Sequence, residues 1–183
     1  MTFATLASEQ RTHLDQTMAM NLYERILQGR KRALQASIIN EEENSEHSFT
    51  KVADVRGVSF INDSKAVSIN TTWYSLERCE GQIIWIAGEK RSENDYELVR
   101  YLVEDRVKAI VSLCKRRSGV IDNFSGDVKM LVHAQNMQEA VEASFYLAQP
   151  GDTVLFSPAS QSTDMFENYM ERGNKFIETV KKL

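Results

Sequence analysis

Short apolar runs separated by stretches of helical period constrain this chain more than any other feature. The runs are IIWIAG from Ile83 to Gly88, AIVSL from Ala109 to Leu113, VKMLVHA from Val128 to Ala134 and TVLFS from Thr153 to Ser157. Near-continuous apolar runs of this length, bounded by turn residues, are strands buried on both faces, as in a parallel sheet. Between them, Tyr96, Leu98, Val99, Leu102 and Val103 recur at helical spacing. Further helices are expected around 118–124, over 137–148 and over about 165–183. Upstream, FTKVADVRGVSFIND alternates apolar and polar residues around Arg56-Gly57, which predicts a hairpin ending at Ile61, followed by a helix over 68–78. Strands alternating with helices require right-handed crossovers. The expected fold class is therefore α/β, a Rossmann-like, mostly parallel sheet with helices on both faces.

The amino-terminal part reads differently. From Ala7 to Ser37 helix formers dominate, and Leu14, Met18, Leu22, Ile26 and Leu27 fall on one face of an amphipathic helix or helix pair. The acidic, polar run from Asn40 to Ser48 suits a solvated linker. These patterns divide the chain into residues 1–47, a helical segment with its linker, and 48–183, a domain with its own core. The apolar face of the helix is a candidate contact for a homodimer or a partner protein.

Composition removes several function classes. The net charge is -4 with both signs intermixed, so no basic stripe is available for nucleic acid. No run is long enough to cross a membrane, and the first residues lack the basic and apolar regions of a secretory leader. The two cysteines, Cys79 and Cys114, sit in apolar or helical contexts as buried thiols of a reducing compartment, and the expected location is cytoplasmic. His47 and His133 have no second ligand at metal spacing; a surface or packing role is expected for each, with no metal site. Lys115-Arg116-Arg117 follows a strand end, either as a solvated loop or as an attractor for phosphate. Trp73, Tyr74 and Trp85 are read as core.

Two segments carry chemistry. FINDSKAVSIN, Phe60 to Asn70, closes a strand and opens a helix, placing Asn62, Asp63, Ser64 and Lys65 at the carboxyl end of the sheet, where ligands of doubly wound folds bind. The turn is either a phosphate-binding corner built on Lys65 and the helix start, or an Asp63 or Ser64 cap beside a solvated lysine. In SPASQSTDMFENY, Ser157 ends a strand and the hydroxyl-rich turn after it can hold a carboxylate. Alternatively, Ser162 or Thr163 caps the last helix, with Phe166 and Tyr169 as core contacts.

NDSKA, TTWYSLE, IIWIAG, NDYELV and PGDTVLFSPASQSTDMFENYMERGNKF occur in an order that resembles the carboxy-terminal domain of the D-glutamate-adding Mur ligases. The resemblance runs from about Glu46 to the end, roughly three quarters of the chain. It implies a Rossmann-like domain that carries the incoming amino acid and closes over ATP held by a central domain. By resemblance, Asn62, Asp63 and Lys65 fall on the nucleotide side, and Ser162, Thr163 and Tyr169 at the amino-acid side chain.

The sequence departs from the family in four places. No Walker-type loop occurs among its eight glycines. Ser48 stands where the family has the arginine of a His-Arg pair, and a serine cannot replace a planar cation with five donors. Ser92 stands where the family has a lysine for D-glutamate, and Val67 where it has a threonine. The expectation is a chain with no catalytic residue and no cofactor of its own, a binding or regulatory module related to peptidoglycan-precursor synthesis. The alternative is the amino-acid-binding half of an ATP- and magnesium-dependent ligase whose nucleotide site lies on another polypeptide.

Overall fold

The structure, a computed structural model, describes residues 46–89, 96–115, 119–162 and 165–183. The helix expected over 7–37 lies outside them, as do Ser92, Arg116, Arg117 and Thr163. Among the described residues the elements run β1 (Thr50–Val55), β2 (Val58–Asn62), α1 (Ile69–Arg78), β3 (Ile83–Ala87), α2 (Glu97–Arg106), β4 (Val107–Leu113), α3 (Gly119–Asn123), β5 (Met130–Ala134), α4 (Met137–Leu147), β6 (Thr153–Phe156) and α5 (Tyr169–Val180). They form one sheet of order β1-β2-β6-β3-β4-β5, antiparallel at β1–β2 and parallel elsewhere. This is the expected α/β class.

Strand periodicity sorts the apolar side chains onto two faces. Ile83, Trp85, Ile110 and Leu155 pack with Ile69, Leu76, Val99, Leu102 and Phe124, which belong to α1, α2 and the turn after α3. On the other face Ile84, Ile86, Val111, Val154 and Phe156 pack with Ala140 and Val141 of α4 and Phe176 and Val180 of α5. The chain steps outward through β3, β4 and β5 and then returns to place β6 between β2 and β3. Right-handed crossovers in opposite directions put their helices on opposite faces. The loops after β2 and β3 thus leave on one side and the loop after β6 on the other. This opens the crevices beside β6 in which doubly wound folds bind ligands.

The hairpin closes at Arg56 and Gly57, with φ of 51° and 83°. Two left-handed residues make the tight loop that matches strand twist, and the Gly57 carbonyl accepts from Gly151 N–H at 2.8 Å, tying the hairpin to the turn before β6.

Helix starts depart from expectation. The cap of α1 is Ser68, whose hydroxyl accepts from Thr71 N–H; neither Asp63 nor Ser64 caps it, because both are turned into the protein. The last helix begins at Tyr169, not near 165. Its cap is Asn168, which accepts from Glu171 N–H, and Ser162 lies well before it in irregular chain.

Candidate functional site

At the carboxyl end of β2, Asp63 gathers groups from three other parts of the chain. Its Oδ2 accepts from Ser75 Oγ on α1 at 2.5 Å and from Ser157 Oγ after β6 at 2.9 Å; its Oδ1 accepts from Phe49 N–H at 3.2 Å. Since Ser157 Oγ gives its proton to Asp63, it accepts from Thr72 Oγ1, 2.9 Å away. Asp63 is 1% exposed. Burial pushes its carboxyl up to about 6, against the opposing pull of the two hydroxyls, the Phe49 amide and the Arg78 charge. Arg78 lies 4.3 Å from the Phe49 ring centroid and 5.2 Å from that of Tyr74.

A second set of contacts fixes the residues on either side. Asn62 Oδ1 accepts from Ser64 N–H at 3.1 Å, which leaves Asn62 Nδ2 pointing to His47 Nδ1 at 2.8 Å. Nδ2 donates, so Nδ1 accepts, and the network assigns His47 the neutral tautomer protonated on Nε2. The His47 carbonyl accepts from Lys65 N–H at 3.1 Å. From α5, buried Arg172 donates Nε and Nη2 to the Ser64 carbonyl at 3.1 and 2.7 Å. Burial pulls its guanidinium down to about 10, opposed by the Asp63 charge. Tyr169 meets His47 edge-on, with centroids 6.5 Å apart. Gly173 permits this proximity, because a methyl there would overlap Ser64 Oγ and the His47 ring. His47 and Phe49 carry φ of 73° and 40°, left-handed conformations that such residues adopt only where surrounding contacts hold them.

The loops after β3 and β6 are also joined. Gly88 N–H donates to the Pro158 carbonyl at 2.9 Å, Trp85 Nε1 to the Ser157 carbonyl at 2.7 Å, and a side chain at Gly88 would collide with Ser160 Oγ.

The structure places the candidates from sequence as follows. Asn62 and Asp63 stand at the carboxyl end of β2 with their side chains buried, Lys65 is half-buried, and Val67 beside it is 45% exposed. Ser162 is half-buried but its Oγ is enclosed, and among the described residues it and Ser64 Oγ are the buried side-chain polar atoms without a hydrogen-bond partner. Tyr169 opens α5. His47 is a packing residue, as one of its two expected roles had it, but its place beside Asn62 and Gly173 was not read from sequence. Nor were Arg172, Gly173 and Ser75, or the bond from Ser157 to Asp63. A signal existed for the hydroxyls: Thr72 and Ser75 share the buried face of α1 with Ile69 and Leu76, and hydroxyls on an apolar stripe need buried partners. Among the described residues no group of three or more His, Cys, Asp or Glu is placed to hold a metal ion, and no helix is long and apolar enough to cross a membrane.

No family model matches the sequence. Curated relatives do. A UDP-N-acetylmuramoylalanine--D-glutamate ligase of Christiangramia forsetii is 36% identical over 183 residues, 100% of this chain and 41% of the relative. The enzyme of that name from Porphyromonas gingivalis is 38% identical over 145 residues, 79% of this chain and 32% of its own length. That of Salinibacter ruber is 40% identical over 137 residues, 75% and 30% of the two chains. The chain thus spans between 30% and 41% of the length of these relatives. The first match extends through residues 1–45, so the amino-terminal segment has a counterpart in that relative. Among solved structures, a pseudomurein peptide ligase type C from Methanothermus fervidus is similar over 78% of this chain and 30% of that one, with a TM-score of 0.49 and 11% identity.

Proposed function

Since the chain belongs to the Mur ligase family and matches its carboxy-terminal domain, we propose that these 183 residues act as a binding or regulatory module of peptidoglycan-precursor synthesis and do not ligate on their own. What supports this reading most is that the backbone amides of the turn after Asn62 are bonded within the fold. The amides of Asp63, Ser64, Lys65 and Ala66 donate to Phe156 O, Asn62 Oδ1, His47 O and Asp63 O. An anion arriving at this edge finds none of these four amides unbonded, whereas phosphate-cradling turns present such amides outward. Ser48 and Val67 replace an arginine and a threonine of the family pattern. Those losses remove about 1.5 to 3 kcal/mol for a charge-assisted bond and about 1 kcal/mol for a neutral one. The partner on this reading is a protein of the same synthesis, and the helical period of the apolar residues between 7 and 37 makes that segment its candidate contact.

Ser162 favours a second reading. Its Oγ is buried without a partner beside the loop after β6, an unspent donor of the kind a bound carboxylate uses. On this reading the chain is the acceptor half of a ligase. Asn62, Asp63 and Lys65 lie on the nucleotide side, and Ser162, Thr163 and Tyr169 hold the amino acid whose amine attacks an acyl phosphate. ATP and magnesium are held outside these 183 residues.

Phosphate release from ATP by the purified chain, with magnesium, UDP-muramoyl-alanine and D-glutamate, tests the proposal. No release above the blank is expected. Release by the chain alone contradicts the proposal, and release only after a polypeptide carrying the ATP site is added establishes the second reading.

A further inference from the structure

The two edges of the sheet are unlike. On β1, exposed Lys51 and Asp54 form an ion pair at 2.7 Å, and the pairing with β2 slips between Lys51 and Ala53. Charge and irregularity are what keep an edge strand from pairing with another chain. β5 has neither. Its sequence is MLVHA, its register with β4 runs unbroken from Ala109–Met130 to Leu113–Ala134, and Met130 is 47% exposed. Among the described residues no strand flanks its outer side.

The direction of its backbone groups follows from one bond. The Ala134 carbonyl accepts from Cys114 N–H at 3.1 Å, on the β4 side. The N–H and C=O of one residue point to the same side of a strand, and sides alternate along it. Met130, Val132 and Ala134 therefore turn toward β4, and Leu131 and His133 carry their donors and acceptors outward.

We propose that this edge pairs with β5 of a second copy, antiparallel about a twofold axis through Val132, so that one sheet runs across a dimer. In this register Leu131 of each copy lies opposite His133 of the other, and the outward groups of both are used in reciprocal hydrogen bonds. Exposed Met130 falls opposite the small Ala134. Charge selects a second copy over an unrelated strand. Lys129 is exposed and makes no ion pair among the described residues. It falls opposite Gln135, whose N–H is bonded to the Glu139 carboxylate at 2.8 Å. Each Lys129 thus meets the acidic start of the other copy's α4, and the twofold axis makes the contact twice.

Analytical ultracentrifugation of the full chain from micromolar to submillimolar concentration tests this. A monomer–dimer equilibrium weakened by salt is expected. Lys129→Glu sets like charges together and is expected to raise the dimer dissociation constant by about tenfold or more. Leu131→Pro removes one outward N–H without touching the ladder to β4, and is expected to abolish the dimer with unchanged circular dichroism. If that variant fails to fold, the surface change Lys129→Glu decides alone. A monomer throughout the range, or a dimer indifferent to Lys129→Glu, overturns the proposal.

Discussion

Asp63 is an acid held where its charge is least welcome and its hydrogen bonds are most numerous. Its folded value of about 6 lies above the ordinary 3.8. The proton is thus bound more tightly in the fold than in the unfolded chain, and the stabilisation this gives is complete below about pH 4 and is lost as pH rises through 6. The gap corresponds to about 3 kcal/mol. Asp63→Asn removes the titration, so the melting temperature of the variant relative to wild type is expected to rise between pH 4 and 7. A difference flat across that window contradicts the assignment. Nearby, Ser64 and Gly173 make a contrasting pair. Ser64 Oγ has no partner, so Ser64→Ala is expected to be within about 0.5 kcal/mol of neutral in urea unfolding. Gly173→Ala drives a methyl into Ser64 Oγ and the His47 ring and is expected to cost about 1 to 3 kcal/mol. Of this convergence, sequence carried only the hint of hydroxyls on the apolar stripe of α1. Phe49, Ser75 and Ser157 lie 14, 12 and 94 residues from Asp63, and only topology brings them together. The motif marked the place, as a phosphate corner or as a capped turn, but not the partners of its side chains: Asp63 bonds Phe49, Ser75 and Ser157, and Asn62 bonds His47.

At the level of elements, the interior strands were legible because β3 and β6 are buried along their whole length, so each reads as an uninterrupted apolar run. The hairpin was legible because Arg56-Gly57 interrupts two runs that alternate apolar and polar residues. Helix starts were harder. Phe166 continues the apolar spacing of α5 upstream, so period alone puts the start near 165, whereas Asn168 supplies the side-chain acceptor that ends the irregular chain. Asn168→Ala is expected to cost about 1 kcal/mol, while Ser162→Ala leaves helix content unchanged; thermal melts followed at 222 nm distinguish the two. For α1, the four residues from Asp63 to Ala66 form a turn in their own right, closed by Ala66 N–H to Asp63 O at 3.0 Å, before Ser68 starts the helix. A strand-to-helix corner can hold such a turn without any change in hydrophobic period, so its length escaped the pattern.

For the whole molecule, order along the chain carried the family assignment. Dispersed segments of a Mur ligase carboxy-terminal domain appear in sequence, and curated relatives align over three quarters of the chain or more. The same sheet topology that builds that domain turns Asn62, Asp63 and Ser64 inward and leaves Val67 at its rim. The central proposal is that this edge does not by itself hold the family's ligands. Isothermal titration of the full chain with magnesium-ATP, then with D-glutamate and L-glutamate separately, tests it most directly. The account predicts no binding tighter than about 1 mM, equivalent to roughly 4 kcal/mol, for any of the three. Saturable binding of ATP or D-glutamate below that concentration, lost in Lys65→Ala or Ser162→Ala, would contradict it.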